Sequence, residues 1–537
     1  MNILGIHGGV TLGQHEPAAA LIIDGNVEAV CEEERYLRFK SGYGHLPYYS
    51  IYACLRQANI RWEDVDLIIS PGSTYQDHSK RIRNYLSRKF GSCPRIKLIH
   101  HQLAHLAATF FGSGFQDSLV LSLDATGDGS CGMLGYASKD QGIKIYEKIP
   151  NRNSIGFFYT LMTYYLGFVD GDEYKVMGLA PYGKANIDLS KILKVTKDGW
   201  KFNDSFMRKN PVIRSPFEVL YADKLEKLLG VPGRTPQKEL NNYYKNLAAS
   251  TQSTLENCLV SAIKYLSKKK PDCKNLCYAG GVALNCSANQ KLYDTGLFKN
   301  FYVSPVSSDR GLALGCAYYG SDMVKEKPRP IWNCYLGSSY SSAIIRKELE
   351  SNNLKFKEVK DPALAAAKLI SKGKIIGWYQ GRSEAGARAL GNRSILAAAS
   401  DKNMQEKVNA RIKYREEFRP FAPSVLFEDS EEYFITNGRD LPFMSFTAKC
   451  VPGKRKKIAS VVHVDGTSRV QTVRSSDNEL YYDLIKKYKN ITGTPLILNT
   501  SFNLKGQPIV ETPRDAIMTF FGCGLDALVV GKFVVEK

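Results

Sequence analysis

Two histidines and two aspartates carry the chemistry that stands out first: His101, His105, Asp124 and Asp309. The histidines sit four positions apart in His101-Gln102-Leu103-Ala104-His105. On a helix of about 3.6 residues per turn that spacing places both imidazoles on one face. Asp124 ends the apolar run 118–123 and precedes Ala125-Thr126-Gly127-Asp128-Gly129, while Asp309 follows Val306-Ser307-Ser308 and precedes Arg310-Gly311. Imidazoles combined with carboxylates suit a divalent first-row metal better than calcium or magnesium. An isolated histidine pair at this spacing also serves to cap or pack a helix, and it is the strand-end aspartates that favour a ligand site.

A second group lies far downstream. Residues 381–394 set Arg382, Arg388 and Arg393 among small and flexible residues, a composition that favours gripping phosphate oxygens by charge-assisted, often bidentate hydrogen bonds. Further on come Lys413-Tyr414-Arg415-Glu416-Glu417-Phe418-Arg419, the polar set His463, Asp465, Arg469 and Gln471, and Asn499-Thr500-Ser501-Phe502-Asn503 after the apolar run 495–498. Arg415 beside its glutamates reads as a surface ion-pair network. The clusters together point to a second anion site.

These residues need elements to hold them. The chain opens with a strand at 3–6, a glycine-rich turn, and a hairpin in which Asp24-Gly25-Asn26 joins the apolar runs 18–23 and 27–31. Helical patterns cover 49–58 and 101–110, and a second strand pair begins at Leu119 and resumes at 133–136. A third glycine loop, Ala279-Gly280-Gly281, lies between an apolar strand and a predicted helix, where backbone amides can face a phosphate or ribose. In this order the three loops resemble the actin/sugar-kinase type of ATPase, with two related α/β halves. Lys325-Glu326-Lys327-Pro328-Arg329-Pro330 reads as a linker, and a second α/β segment with a strand at 374–378 follows it.

Composition bounds the rest. A chain of 537 residues predicts two large domains, and 44% hydrophobic with 23% charged residues describes a folded protein. No segment reads as a signal peptide or membrane span, so a soluble, cytoplasmic protein is expected. The twelve cysteines include no CxxC pair and are expected to be free thiols. The net charge of +20 fits either nucleic acid or anionic small substrates. The dense run Lys454-Arg455-Lys456-Lys457 is expected to be a solvated loop.

Taken together, Glu32-Glu33-Glu34-Arg35, His101 with His105, Lys175-Val176-Met177-Gly178-Leu179-Ala180, Ala279-Gly280-Gly281, Gly386-Ala387-Arg388-Ala389-Leu390-Gly391, Arg419-Pro420-Phe421-Ala422-Pro423-Ser424 and Asn499-Thr500-Ser501-Phe502-Asn503 resemble the NodU/CmcH family of O-carbamoyltransferases, nearly end to end. The resemblance implies an α/β protein: an N-terminal domain at 1–335, actin/sugar-kinase-like and similar to the tRNA threonylcarbamoyl transferase subunit, joined to a YrdC-like α/β domain at 345–537. It implies that carbamoyl phosphate and ATP, with magnesium, give carbamoyl-adenylate and pyrophosphate in the C-terminal domain. The N-terminal domain then passes the carbamoyl group to an acceptor hydroxyl.

Carried over by position, His101, His105, Asp124 and Asp309 match the family's iron(II) ligands, with zinc or manganese also open to an N/O set. Lys40, Gly280, Gly281, Asn285 and Asp309 fall where the adenylate is held. Arg388, Lys413, Arg419, Arg469, Asn499 and Ser501 fall in the carbamoyl-phosphate and ATP pocket, with Arg388 and Lys413 in catalytic roles. His15 falls at the acceptor site as the base for the hydroxyl proton. Where the family commonly reads His-Asp, this chain has His15-Glu16-Pro17, a longer acid and a fixed φ.

A polyhydroxylated acceptor is expected, a sugar unit of a glycan or a natural product, with Glu16 and the acidic stretch 170–173 offering hydroxyl contacts. The rival reading is a tRNA-modifying, nucleic-acid-binding protein; no aromatic-rich RNA-binding motif supports it, and no nucleic-acid partner is expected.

Overall fold

The opening apolar run forms the strand Asn2–His7 in the computed structural model, which describes residues 1–9, 14–208 and 220–537. The glycine-rich turn after it runs into 10–13, outside the described residues. The hairpin Ala18–Ile23 to Asn26–Glu32 forms as its turn chemistry predicts, with Asp24 and Gly25 at φ 49° and 81°, the left-handed pair that matches strand twist. Five strands lie in the order Asn26–Glu32, Ala18–Ile23, Asn2–His7, Leu67–Pro71, Arg95–Ile99. The first three are antiparallel neighbours and the last three parallel ones. The helix Leu312–Met323 lies directly on this sheet. Gly5 allows that approach, because a Cβ there would sit 1.9 Å from the Ala313 carbonyl oxygen.

These elements belong to one compact unit, Met1–Ile99 with Asp309–Lys537. Its C-terminal part holds an eight-stranded mixed sheet in the order Lys357–Glu358, Phe533–Glu536, Ala527–Val530, Ile376–Tyr379, Arg393–Ala398, Leu496–Ser501, Ala422–Leu426, Gln471–Val473. The stretch read as a linker is tied to the first hairpin: Arg329 donates its N–H to the Gly25 carbonyl at 2.9 Å, and Glu326 accepts from the Met1 ammonium at 2.6 Å. The basic run 454–457 is not a loop; it lies in the helical segment Pro452–Val461, with Ile458, Ser460 and Val461 buried on its inner side.

The second unit, His100–Ser308, repeats the topology of the first sheet. Its strands run Gly142–Pro150, Ser130–Ser138, Asp117–Gly127, Asn275–Ala279, Asn300–Val303, three antiparallel and then three parallel. The helix His101–Ser113 packs on it, and the 28-residue helix Asn242–Lys269 is the longest element described. All twelve cysteines are free thiols, eleven of them buried. Among the described residues no helix is long and apolar enough to cross a membrane.

Candidate metal centre and anion-binding cluster

The helix His101–Ser113 starts where two side chains take up its first N–H groups. His100 accepts from the Gln102 N–H at 3.2 Å, and Asp128 accepts from the His101 N–H at 2.8 Å. One turn apart, the His101 and His105 rings lie 4.9 Å between centroids, and both are buried. Asp124 does not end its strand, as its sequence setting suggests. The strand continues to Gly127, and its pairing with Ser130–Ser138 is irregular between Leu123 and Gly127. Irregular pairing of this kind re-aims side chains.

The Asp124 carboxylate reaches His105 Nε2 at 3.1 Å and His101 Nε2 at 3.9 Å. Its other oxygen accepts the Ala125 N–H at 2.7 Å, while the oxygen facing the histidines accepts the Gly281 N–H at 3.3 Å. Gly127 leaves room for the imidazole above it, since a Cβ there would stand 2.3 Å from the His101 ring. Asp309, bonded to Ser308 at the end of this unit, completes a group whose four ligating atoms all lie within 4.8 Å of one another. Two imidazole nitrogens and two carboxylates at that spacing fit a divalent first-row ion.

In the same unit Gly280 turns with φ 91° where any Cβ would meet the Leu123 carbonyl at 2.1 Å. Asn285 caps the helix Cys286–Tyr293 by accepting from the Ala288 N–H at 3.0 Å, and its amide exchanges hydrogen bonds with Gln252 at 2.9 and 3.1 Å. Gln252 also accepts from the Tyr159 hydroxyl at 2.7 Å and donates to Glu256 at 2.7 Å. Tyr159, Gln252 and Glu256, which join Asn285 beside the glycine loop, have no mark in the sequence reading, although Gln252 and Glu256 stand at i, i+4 on one helix. Lys40 belongs to the other unit, exposed in the short turn Lys40–Gly42.

His15 packs edge-on to Tyr43 at 5.4 Å, and its carbonyl accepts from His7 Nε2 at 3.0 Å. His7, also unread in the sequence, is buried at the end of the first strand and lies 3.7 Å from the Asp309 carboxylate. Glu16 adopts φ 55° and is taken up by Arg310, and Asp172 by Lys175 at 2.9 Å. Both carboxylates, read in the sequence as hydroxyl contacts, are held in ion pairs.

The C-terminal cluster gathers around adjacent strands. Lys413, buried, donates to the Ser501 carbonyl, to the Asn503 carbonyl at 3.0 Å and to Asn503 Oδ1 at 2.8 Å, with Ser501 Oγ at 3.3 Å. Burial pushes its pKa well below the ordinary lysine range, and the neighbouring Arg415 and Arg419 push the same way. Asn499 donates to the Ala389 carbonyl at 3.1 Å, Ser424 Oγ at 3.0 Å and Gln471 Oε1 at 3.1 Å. Arg419 lies 3.6 Å from Glu416, and Arg388 and Arg469 are half-buried.

Of the three arginines in the loop, two are structural. Arg382 donates to the Glu28, Leu336 and Gly337 carbonyls, and the fully buried Arg393 to those of Gln380, Asn392, Ser338 and Gly381. Both guanidiniums are committed to backbone carbonyls, not to the phosphate-gripping role expected of all three arginines.

Comparison with known proteins gives two family matches: Carbamoyltransferase N-terminus over residues 72–318 and Carbamoyltransferase C-terminus over 367–537. The chain is 36% identical to nodulation protein NolNO of Sinorhizobium fredii across 97% of this chain and 79% of that one. It is 35% identical to nodulation protein U of Rhizobium tropici across 49% of this chain and 44% of that one. Among solved structures, component A of the (R)-2-hydroxyglutaryl-CoA dehydratase of Acidaminococcus fermentans is similar at a TM-score of 0.34 and 17% identity, over 59% of this chain and 97% of that one.

Proposed function

Because the chain belongs to the carbamoyltransferase family, we propose that it is an ATP-dependent O-carbamoyltransferase that works in two steps at two sites. In the first, carbamoyl phosphate loses phosphate to water, and the resulting carbamate oxygen attacks the α-phosphorus of ATP, expelling pyrophosphate and leaving carbamoyl-adenylate. In the second, an acceptor hydroxyl oxygen attacks the carbamoyl carbon, AMP departs, and the hydroxyl proton passes to His15. The acceptor is a sugar unit of a glycan or a hydroxylated natural product. The C-terminal segment takes the YrdC-like role.

Arg388, Arg419 and Arg469 hold the anionic oxygens of carbamoyl phosphate and ATP, where charge-assisted bonds orient both for in-line attack. Lys413, with Asn499 and Ser501, supplies donors to the same anions. Its lowered pKa makes it able to release a proton as the carbamate forms. Gly280 and Gly281, which carry no side chain, let the adenylate phosphate come close to the backbone, and Asn285 and Lys40 contact the nucleotide. His101, His105, Asp124 and Asp309 hold iron(II), or zinc or manganese. Such an ion supplies a Lewis acid for developing negative charge.

The observation that carries this reading is that one chain holds a histidine/aspartate group inside the N-terminal family match and a buried lysine cluster inside the C-terminal one. The test is to supply the protein with ATP, isotope-labelled carbamoyl phosphate and a metabolite extract of its host, then follow the label. Label on a hydroxyl of a sugar-like compound is expected; label on tRNA or on an amine nitrogen overturns the acceptor assignment.

A further inference from the structure

The residues Glu32 and Arg35 face the arginine loop 381–394 of the same unit through a closed set of buried bonds. Glu32 accepts the Gly386 N–H at 2.6 Å, and Arg35 donates to the Gly386 carbonyl at 2.9 Å. One residue pair therefore grips both polar backbone atoms of a single glycine. Arg35 also donates back to Glu32 at 3.2 and 3.3 Å and lies 3.8 Å from Glu511, which accepts from the Ser383 hydroxyl at 2.8 Å.

The far end of the loop is pinned as well, because Glu384 accepts the N–H groups of Leu390, Asn392 and Arg393 at 2.7, 2.8 and 3.2 Å. Arg388 stands between these two anchors. Gly386 has φ 106°, a conformation that L side chains rarely adopt, so the backbone two residues before Arg388 turns in a way that glycine permits. Glu32, Arg35, Glu384 and Glu511 are each no more than 3% exposed.

Buried ion pairs of this kind add little stability over well-packed apolar residues, because desolvation offsets the Coulombic gain. What they add is direction. We propose that Glu32 and Arg35 are a positioning pair for Arg388: by clamping Gly386 they fix the approach of the Arg388 guanidinium to carbamoyl phosphate. The N-terminal part of the chain thereby sets the geometry of the first reaction step. This rests on the reading of Arg388 as an anion-binding residue.

The test is carbamoyl-phosphate-dependent exchange of pyrophosphate into ATP by the full chain, for wild type, E32Q, R35K, R388K and the doubles E32Q/R388K and R35K/R388K. E32Q and R35K are expected to raise KM for carbamoyl phosphate about tenfold, the size of one weakened charge-assisted bond, with kcat and KM for ATP within about twofold. In the R388K background neither adds a further increase, because both act through Arg388. Effects that multiply with R388K overturn the proposal, as do E32Q and R35K with normal KM beside a defective R388K. If R388K itself has a normal KM, the reading of Arg388 fails and the proposal with it. Thermal unfolding of each variant checks folding, and E32Q, which keeps size and shape, carries the test alone if R35K does not fold.

Discussion

Arg310 donates its Nε to a carboxylate oxygen of Glu16 at 2.9 Å, and a second nitrogen of the same guanidinium reaches the same oxygen. Arg310 follows Asp309 in the chain, and Glu16 follows His15. The longer acid at position 16 therefore joins the loop of the proposed acceptor base to the residue after a proposed metal ligand. Glu34 lies 3.8 Å from the same guanidinium.

Removing Glu16 leaves a guanidinium whose side chain is only 12% exposed short of its main counter-charge. Glu16→Ala is expected to cost about 3 kcal/mol of stability, within the range for breaking a buried pair. Glu16→Ala with Arg310→Met is expected to recover most of that loss. Chemical denaturation of the three proteins checks this, and a double variant no more stable than Glu16→Ala would show that the two residues do not act as a pair.

Arg388→Ala is expected to lower carbamoyl-adenylate formation by about 10- to 100-fold, the value of one charge-assisted contact of roughly 1.5–3 kcal/mol. Bound metal should stay at the wild-type level. Pyrophosphate release and elemental analysis on the same sample separate the two effects, and normal release by a folded variant removes Arg388 from this role.

His101→Ala combined with His105→Ala is expected to deplete bound first-row metal and abolish transfer to an acceptor, while adenylate formation continues. Both residues lie in the segment matched by the N-terminal family half. Unchanged metal content would falsify the ligand assignment.

Glu173 sets a pH dependence. Burial, with Asp170 beside it, raises its carboxyl from 4.5 to about 7. A carboxyl raised on folding holds its proton in the native state, so its contribution is fully present below pH 4.5 and is lost as pH rises to 7. Glu173→Gln keeps an acceptor for the Thr160 hydroxyl, now 2.8 Å from Glu173, without the charge. At pH 8 the variant is expected to be about 3 kcal/mol more stable than wild type, and at pH 4 no more stable. Unfolding midpoints at the two pH values test this, and equal differences at both would contradict it.

What the sequence makes legible here is local. The His101 and His105 spacing, the Asp24-Gly25 hairpin and the helix Tyr49–Ala58 follow from periodicity and turn chemistry within a few residues. The exact placement of Asp124 is not legible, because irregular strand pairing leaves no mark on an apolar run. The roles of Glu32 and Arg35 could not be read at all: their partner Gly386 lies more than 350 positions away, and only the fold closes that distance. The arginine loop is ambiguous for a related reason. Composition cannot separate guanidiniums that face a ligand from those turned into backbone carbonyls, as Arg382 and Arg393 are.

The two-step account is tested most directly without any acceptor. Purified protein given ATP labelled at the α-phosphate, carbamoyl phosphate and magnesium is predicted to release pyrophosphate and to form a labelled carbamoyl-adenylate, resolved by mass, only when carbamoyl phosphate is present. Release of ADP in place of pyrophosphate, or pyrophosphate release indifferent to carbamoyl phosphate, would contradict it.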